Sequence, residues 1–507
     1  MAPLVFTRPC VRPQGRLRGS LPDEMQAGFA TDKDDMTASA RPIGPILFLD
    51  QIDDAAVHLA ALFIAPVDAQ LPPIQTDGGE VLVQPLAEYR AATVFRARFS
   101  LPHDAKAYRW NGETYPVSVN LTGDARLAYV SCNGEEVGDL DREGSERNVM
   151  WARLRREHER APFALLLHGG DQVYADEVTH GHPLTERWPD HIPDAPADLS
   201  GLREHLREQY LSRYAALYAS PDFARLAARV PSVMQWDDHD ICDGWGSLPR
   251  SATDSPIGQA LFASAREAFL IFQAAAIEGD LPPRFADPQG GHLGWTLRAP
   301  GLRLLAPDLR SERTRKRIMG PGGWAMMDAQ PPLATDERCI ILSSVPLLGP
   351  RLSLLETLMM AVPRMQRYED DLRDQWQSHS HREEWKRILN LMVELGRSGR
   401  NVIAVSGEIH LATRATMPLG EGATLHQLVA SGIAHRPPPR SWARFLGALS
   451  TLGEGPLPGR QIRIERIPGQ AGRYVAQRNY LTLARRGDDW LASWELEESG
   501  TSPALTL

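Results

Sequence analysis

The pattern of hydrophobic and polar residues changes twice along the chain. The first 43 residues are rich in proline, glycine and charge, which predicts an N-terminal extension (residues 1–43) with little core of its own. Over residues 44–122, short apolar runs are separated by turn formers, and apolar and polar residues alternate from Thr93 to Phe99. Because a period of two is typical of half-buried strands, we predict a small β-sandwich-like domain over residues 44–122.

A third pattern begins near residue 123. Short apolar runs of strand length, such as 302–306 and 402–405, alternate with longer runs of helical length, such as 200–219 and 381–395. This order of elements is typical of α/β proteins. We therefore predict an α/β domain over residues 123–507, in which the last apolar runs add antiparallel strands that close the sheet.

Composition and charge narrow the class of protein. Acidic and basic residues are mixed along the chain and give a formal net charge of −9, so no sustained cationic face favours a nucleic-acid partner. The four cysteines form no short-spaced pair of the kind found in zinc knuckles or dithiol motifs. The chain shows no apolar core of an export signal and no run of the roughly 20 apolar residues that span a bilayer. We expect a cytoplasmic protein without a membrane span, and its oligomeric state stays open.

Candidate chemistry lies where the apolar runs end. The run at Leu165–Leu167 is followed by glycines and then by Asp171 and Tyr174. Glycine permits a sharp turn, and the carboxyl edge of an α/β sheet is where such proteins present functional side chains. Asp171 could bridge two cations, and a phenolate from Tyr174 could bind a hard ion such as ferric iron. The structural alternative is that Asp171 caps a turn and Tyr174 packs in the core.

A second cluster follows the apolar residues Val233 and Met234. It consists of Trp236-Asp237-Asp238-His239-Asp240 and, three residues later, Asp243. Carboxylates grouped around one histidine repel one another unless cations or hydrogen-bond donors neutralise them. The cluster therefore predicts a metal site, whereas a solvated turn is the structural alternative.

Two further strand ends carry candidate metal ligands. Glu408 and His410 follow the apolar run that begins at Val402, and in extended backbone residues two apart point to the same side, so both could reach one ion. Cys132 follows another apolar run, and its thiolate could bind a soft or ferric ion. The structural alternatives are an exposed ionic pair for Glu408 and His410, and a small buried apolar side chain for Cys132.

A group of basic residues follows the apolar run at Leu302–Ala306. Arg310 is the member nearest to the end of this run, and its planar guanidinium could bind two phosphate oxygens. The other basic residues, up to Arg317, are expected to form a solvated face.

Taken together, these segments resemble the alkaline phosphatase D, or PhoD-like, branch of the metallophosphatases. The segments that carry the resemblance are Ser131-Cys132, Gly170-Asp171-x-x-Tyr174, Trp236-Asp-Asp-His239 and Ser406-Gly-x-x-His410, with further likenesses at Asp308-Leu-Arg310 and Asp374-Gln-Trp376. The resemblance covers roughly residues 126 to 435 in order. The combination is far more specific than any single motif.

The resemblance implies a calcineurin-like β-sandwich flanked by helices, preceded by the small β-rich domain. It also implies metal-dependent hydrolysis of small phosphate esters, either monoesters or diesters, with Fe³⁺ and Ca²⁺ as the expected ions and Mn²⁺ or Zn²⁺ as alternatives. His239 would donate a proton or stabilise the transition state, and Arg310 would bind phosphate oxygens. The metal ligands, or residues close to them, would be Cys132, Asp171, Tyr174, Asp238, Asp243, Glu408 and His410.

Two positions depart from the family pattern. Glu408 stands where the family usually has aspartate, and its additional methylene moves the carboxylate outward. Asp243 stands where related sequences often have asparagine. One alternative is therefore a catalytically degenerate, metal-stabilised binding protein on the same fold, in which ions raise thermal stability without turnover.

A cysteine hydrolase is another alternative. Cys132 would then be the nucleophile, with His239 or His410 as its base, but the sequence supplies neither an oxyanion hole nor an orienting third group. Treatment with a chelator separates the two kinds of enzyme, because a thiol nucleophile survives it and a metal cluster does not.

Overall fold

The computed structural model describes residues 41–194, 198–350 and 375–507. The predicted extension over residues 1–43 lies almost entirely outside this part of the chain. Asp374, which belongs to one of the family-like segments, also lies outside the described residues.

Strands dominate the described part of the chain. In chain order, they are β1 (Ile43–Ile52), β2 (Ala56–Pro66), β3 (Ile74–Thr76), β4 (Gly79–Val81), β5 (Gln84–Glu88), β6 (Ala92–Pro102), β7 (Ala107–Trp110), β8 (Glu113–Pro116), β9 (Ala125–Val130), β10 (Leu165–Gly169), β11 (Ser232–Gln235), β12 (Trp295–Ala299), β13 (Leu302–Ala306), β14 (Arg338–Leu342), β15 (Val402–Ser406), β16 (Ala412–Gly420), β17 (Ala423–Val429), β18 (Glu454–Leu457), β19 (Arg460–Glu465), β20 (Tyr474–Val475), β21 (Asn479–Arg486), β22 (Asp489–Leu496), β23 (Gly500–Thr501) and β24 (Leu505–Thr506).

Helices fill the connections between strands. The α-helices of the described residues are Gly144–Arg147, Val149–Arg160, Ser200–Ala219, Pro221–Ala227, Arg250–Thr253, Pro256–Ala268, Pro321–Asp328, Arg382–Leu395 and Arg440–Leu449. Short 3₁₀ turns lie at Asp139–Asp141, Asp176–Thr179, Asp238–Asp240, His379–His381, Gly396–Ser398 and Ser450–Leu452, and a π-helical turn lies at Phe269–Gln273. Among the described helices, none has the length and apolarity to cross a bilayer.

Two large sheets organise these elements. The first has eleven strands in the order β23-β22-β21-β9-β10-β11-β1-β2-β6-β5, with β24 beside β22. The second has nine strands in the order β12-β13-β14-β15-β17-β16-β19-β18, with β20 beside β16. The centre of each sheet is parallel, because β9, β10 and β11 pair in parallel, as do β13, β14, β15 and β17. The carboxyl ends of these central strands are thus the places where functional side chains are expected.

Alternating side chains of the second sheet divide the core in two. Ile403 and Val405 of β15 pack in the same apolar cluster as β9, β10 and β11, whereas Val402 and Ala404 pack in a second cluster. Helix Arg382–Leu395 contributes to that second cluster through an apolar stripe of Trp385, Ile388, Leu389, Met392 and Leu395. The second sheet is therefore covered by the first sheet on one face and by helices on the other. The mixed α/β architecture that the sequence predicts is confirmed.

Residues 44–122 are rich in strands, as predicted, but most of these strands extend the first large sheet. β1 pairs in parallel with β11 at Phe48 and Ser232, and β2, β6 and β5 follow in order. A separate four-stranded sheet, β4-β3-β7-β8, packs against this extension, with the rings of Phe63 and Trp110 4.6 Å apart. Most strands of this region therefore belong to the main sheet, and the predicted separate β-sandwich-like domain stays a prediction. The domain boundary at residues 122 and 123 stays a prediction.

The last strands divide between the two sheets. β21 and β22 lengthen the first sheet beside β9, whereas β18 and β19 lie at the edge of the second sheet. The sequence predicts strands in this region correctly. It does not reveal that they belong to different layers, because alternation fixes the buried face of a strand and leaves its neighbour undetermined.

Candidate metal centre

The ends of β9, β10, β11 and β15 meet at one place. A Cβ added at Gly407, just after β15, would collide with Ser131 Oγ, just after β9. A Cβ added at Gly170, just after β10, would lie 2.6 Å from the Cβ of Asp237, just after β11. These two glycines are required where backbone segments from different strands touch. The close approach brings the predicted site segments of both sheets together.

Four candidate ligands have left-handed backbone. The φ angles are 54° for Cys132, 55° for Asp171, 64° for Glu408 and 52° for His410. This conformation costs roughly 1–2 kcal/mol in a non-glycine residue and is found most often at functional sites. The predicted extended backbone at Glu408 and His410 is therefore wrong, since β15 ends at Ser406 and the chain turns sharply. That the two side chains reach one ion stays a prediction.

Carboxylates from two neighbouring strand ends converge. Asp171, Asp237 and Asp238 each offer an oxygen, and these atoms lie within 4.8 Å of one another. Asp238, His239 and Asp243 form a second such group with the same spacing limit. Asp238 belongs to both groups, so the two groups share a carboxylate. All of these residues are buried except Asp243, which is exposed.

Asp240 joins the two acidic loops, which are the segments that follow β10 and β11 and carry Asp171 and Asp237. Its carboxylate accepts hydrogen bonds from the backbone N–H groups of Asp171 (2.9 Å), Gln172 (3.0 Å), Val173 (3.3 Å) and Asp237 (2.9 Å). Burial raises the pKa of Asp240 to about 7, although the backbone donors oppose the shift. We assign Asp240 a structural role, because its oxygens are occupied by the loops that carry the candidate ligands.

His239 is fixed between an acid and an aromatic ring. Its Nδ1 lies 3.0 Å from Asp176 Oδ2, and its ring stacks on Tyr174 with centroids 4.2 Å apart. Burial alone would lower the pKa of His239, but the charges of Asp176 and Asp238 outweigh it and raise the pKa well above its usual value. These two carboxylates therefore favour the protonated form of the imidazole.

Tyr174 and Cys132 connect the two sheets at the site. The hydroxyl of Tyr174 lies 3.0 Å from His410 Nε2, and Cys132 Sγ lies 3.4 Å from Asp171 Oδ2. Burial raises the pKa of Tyr174 and of Cys132 well above their usual values, and burial lowers the pKa of His410. All three groups are thus held neutral by their surroundings.

The donor set fits a metal ion. Asp171 Oδ1 is buried and has no hydrogen-bond partner within the described part of the chain. Burial and the neighbouring Asp237 raise the pKa of Asp171 well above its usual value. A bound cation would supply the missing partner and would favour the ionised forms of carboxylate, phenol and thiol alike. Carboxylate, phenolate, imidazole and thiolate are all groups that bind metal ions.

Arg310 lies behind the acids. Its side chain is completely buried, its Nε binds Asp237 Oδ1, and its Nη2 lies 3.3 Å from Asp238 Oδ1. Its Nη1 donates to the carbonyl oxygen of Trp245 at 3.1 Å. The guanidinium therefore neutralises carboxylates of the site. The predicted contact with phosphate oxygens stays a prediction.

Glu408 and Asp243, the two residues that depart from the family pattern, lie at the margin of the site. Both oxygens of Glu408 accept from Gln375 Nε2, at 2.7 Å and 2.6 Å. Asp243 donates its backbone N–H to Asp176 at 2.6 Å. Glu408 is in neither group of three ligands found among the described residues, whereas Asp243 is in one.

The sequence analysis assigns no role to five residues that hold the site: Asp176, Asp240 as a structural acid, Gln375, Ser431 and His435. Asp176 was detectable in principle, because it follows Tyr174 by two positions within the same motif. Ser431 and His435 had no local signal. They follow β17, and only the pairing of β17 with β15 brings them to the site.

Comparisons with known proteins identify related sequences and folds. The family model described as "PhoD related phosphatase" matches residues 130–368. The uncharacterized protein YGR266W of Saccharomyces cerevisiae is 22% identical over 415 residues, which is 64% of this chain and 59% of the yeast protein. The chain thus spans less than two thirds of the length of this curated relative.

Solved structures extend the comparison to the fold. A structure of PhoD superposes with a TM-score of 0.56 at 11% identity, covering 92% of this chain and 89% of that one. A dimetal phosphatase from Danio rerio has a TM-score of 0.34 at 11% identity, covering 75% of this chain and 98% of that one, and is too distant to support a conclusion. The resemblance to the PhoD-like phosphatases that the sequence motifs predict is therefore confirmed, with the family model matching residues 130–368.

Proposed function

We propose that this chain is a metal-dependent hydrolase of phosphate esters, acting on monoesters, diesters or both. The observation that carries the proposal is the group of Asp171, Asp237 and Asp238, whose oxygens lie within 4.8 Å of one another beside His239. Arg310 offsets Asp237 and Asp238, but the buried Oδ1 of Asp171 has no hydrogen-bond partner among the described residues, and a cation would supply one. A protonated imidazole beside such a cation is suited to an anionic substrate. The PhoD-related match supports phosphate as that substrate's reacting group.

Metal ligands come from both sheets in this proposal. Asp171, Asp238 and Asp243 would hold ions on one side, and Tyr174 and His410 on the other. Cys132 and Glu408 are the remaining candidates. When bound, the ions would stabilise the charge on the phosphate and lower the pKa of a water molecule. We propose Fe³⁺ and Ca²⁺ as these ions, with Mn²⁺ or Zn²⁺ as alternatives.

His239 moves the proton in this mechanism. Asp176 accepts the Nδ1 proton of His239, at 3.0 Å, and thereby fixes the plane of the ring. The proton on Nε2 is then the one that the imidazolium donates to the leaving-group oxygen. Stacking against Tyr174 restricts the ring further. Asp176 is thus a positioning residue for the catalytic histidine.

Arg310 contributes electrostatics. Its charge offsets Asp237 and Asp238. Burial would raise the pKa of Asp238, but the charges of Arg310 and His239, with further smaller contributions, outweigh it and the pKa is lowered. We propose that the same charge favours binding of the phosphate anion. A small phosphate ester is the expected partner.

The decisive experiment combines metal reconstitution with a histidine variant. Metal-stripped protein is supplied separately with Ca²⁺, Fe³⁺, Mn²⁺ and Zn²⁺ and assayed on an aryl phosphate monoester and an aryl phosphate diester. We expect turnover only with metal. We expect His239→Ala to lower kcat by about 10²- to 10⁴-fold with unchanged metal content, because a positioned acid contributes that much.

The control is His205→Ala, which removes an imidazole whose Nε2 lies 2.8 Å from the carbonyl oxygen of His180, outside the site. It should leave kcat unchanged. Turnover that survives chelation would instead favour a cysteine hydrolase. A raised melting temperature with every ion, but no turnover, would favour the metal-stabilised binding protein. Full activity of His239→Ala would remove His239 from the mechanism.

A further inference from the structure

The loop that follows β17, here called the 430–436 loop, contacts site residues that belong to both sheets. Its backbone N–H groups donate from Ala430 to the carbonyl of Ser406 at 3.0 Å and from His435 to the carbonyl of Cys132 at 3.1 Å. The loop therefore bridges the end of β15 and the end of β9. It lies beyond residues 130–368, the part of the chain that the phosphatase family model matches.

Ser431 of the loop joins two candidate ligands. The backbone N–H of His410 donates to Ser431 Oγ at 2.8 Å, and the same oxygen lies 3.1 Å from Cys132 Sγ. Ser431 is fully buried. The hydroxyl therefore sets the spacing between the turn that carries His410 and the turn that carries Cys132.

His435 of the loop lies face to face with His410. The ring centroids are 3.4 Å apart and the planes differ by 18°. The ring of Tyr174, which binds His410 through its hydroxyl, lies 5.5 Å from the ring of His435. His435 thus covers one face of the imidazole while Tyr174 holds its edge.

Both ring nitrogens of His435 are engaged elsewhere. Nδ1 lies 2.7 Å from the carbonyl oxygen of Arg436, and Nε2 lies 3.3 Å from Glu136 Oε1. Both partners are hydrogen-bond acceptors, so each of them favours an N–H on the ring nitrogen that faces it. His435 therefore contributes to the site through the face of its ring, and its nitrogens are not metal donors in this arrangement.

Ion pairs fasten the loop to the segment after Cys132. Arg142 Nη2 donates to the carbonyl oxygen of Ala434 at 3.0 Å. Arg436 pairs with Glu135 and with Glu146, each at 3.1 Å. Glu136, which holds His435, lies in the same segment. The position of His435 is thus set by several independent contacts.

From this geometry we propose that His435, held by Glu136, is a positioning residue that fixes the imidazole of His410. Without the stacked ring, the imidazole of His410 can rotate away from Tyr174. The expected loss of metal affinity rests on the proposed function. The orientation of the His410 ring does not rest on it, so the orientation can be tested in metal-free protein.

The first measurement is the acylation rate of His410 by diethyl pyrocarbonate, followed by peptide mass spectrometry on metal-free full-length protein. We expect His435→Ala to raise the rate about two- to tenfold, which corresponds to losing one aromatic pair. His435→Phe keeps a flat ring and should raise it less. Glu136→Gln weakens the contact that holds His435, so its acylation rate should lie between those of the wild type and His435→Ala. The control His205→Ala should leave the rate unchanged.

The second measurement is metal affinity by competition with a chelator. We expect a 10- to 100-fold loss in His435→Ala, as is usual for residues that orient metal ligands, and a smaller loss in His435→Phe. An unchanged acylation rate in a folded His435→Ala protein overturns the inference, whatever happens to metal. If the wild type binds no metal but the acylation rate rises in the variant, the proposed function fails and the positioning role stands. If His435→Ala does not fold, the rate in His435→Phe relative to wild type decides: a rise supports the inference and an unchanged rate overturns it.

Discussion

The two sides of the candidate metal centre differ in the chemical groups that they contribute. On the side of the first sheet, Asp171, Asp237 and Asp238 are acidic groups whose oxygens lie within 4.8 Å of one another. On the side of the second sheet, His410 is a neutral group between a phenol and another imidazole. The acids of the first side require neutralisation, part of which Arg310 supplies, whereas burial holds the imidazole of the second side in its neutral form. A bound cation would thus be attracted by one side and oriented by the other.

Burial acts on both sides and explains why they differ in their need for an ion. It raises the pKa of Asp171 and lowers the pKa of His410, so each group is driven towards its neutral form. Neutral imidazole is already the form that binds metal, whereas a neutral carboxyl is not. The acidic side should therefore be the more sensitive of the two to metal removal.

Asp171→Asn is expected to have the largest effect. It removes a charge from the centre of the acidic group at almost constant shape, and turnover with the preferred ion should fall by about 10³-fold or more, since metal ions contribute several kcal/mol to such reactions. Steady-state kinetics and metal content measure this. Asp254→Asn, in an exposed ion pair with Arg250, is the matched control. Metal content and kcat equal to wild type would exclude Asp171 as a ligand.

Arg310→Met tests what keeps the acidic side folded. It leaves Asp237 and Asp238 buried without their counter-charge, and the free energy of unfolding should fall by about 3–5 kcal/mol in metal-free protein. Chemical denaturation measures this. The control Arg250→Met loses only an exposed pair and should cost less than about 1 kcal/mol. Equal losses in the two variants would mean that Arg310 does not neutralise the site.

His168, beneath the acidic side, predicts a dependence of stability on pH. Burial lowers its pKa to about 4, against 6.5 for an exposed histidine. As pH falls from 6.5 to 4, the unfolded chain takes up a proton that the folded chain does not, so stability is lost across this window, by about 3 kcal/mol in total. Urea unfolding of wild type and His168→Gln in chelator should show a shallower acid slope in the variant. Parallel slopes would contradict the prediction.

Glu408→Asp should have the smallest effect. Glu408 lies at the margin and is held by Gln375 through both oxygens, so the shorter side chain should withdraw from Gln375 more than from the acidic group. We expect a change in kcat within about tenfold, at or below the lower end of what outer partners of metal ligands usually contribute. A shift in which ion gives the highest kcat would show that Glu408 is itself a ligand. Assaying the variant with Ca²⁺, Fe³⁺, Mn²⁺ and Zn²⁺ in turn measures both kcat and the preferred ion.

The sequence predicts much of the acidic side because its information is local. Asp171, Asp238 and His239 all lie within a few residues of an apolar strand, and neighbouring parallel strands end at the same edge of a sheet. Even so, the sequence does not distinguish acids that could bind a metal ion from acids that hold the loops in place. Asp240 has the same residue type and surroundings as Asp238, and only its hydrogen bonds to backbone N–H groups reveal a structural role.

The imidazole side was harder to predict because it is assembled over long distances. His410 was visible at the end of β15, but His435 and Glu136 are almost 300 residues apart and reach each other only through the sheet. The backbone was a second obstacle. Left-handed φ at Glu408 and His410 contradicts the extended geometry that a strand pattern suggests, and such strain follows from tertiary packing.

The parallel pairing of β1 with β11 has a practical consequence for anyone who handles this protein. β11 ends at Gln235, two residues before Asp237, so the N-terminal strands shield a sheet edge that leads straight into the acidic loops. A shortened version starting near residue 123 would leave that edge bare, and bare parallel edges recruit other chains. The N-terminal strands, which look separable in the sequence, therefore protect the sheet against aggregation, and truncated versions for expression should retain them.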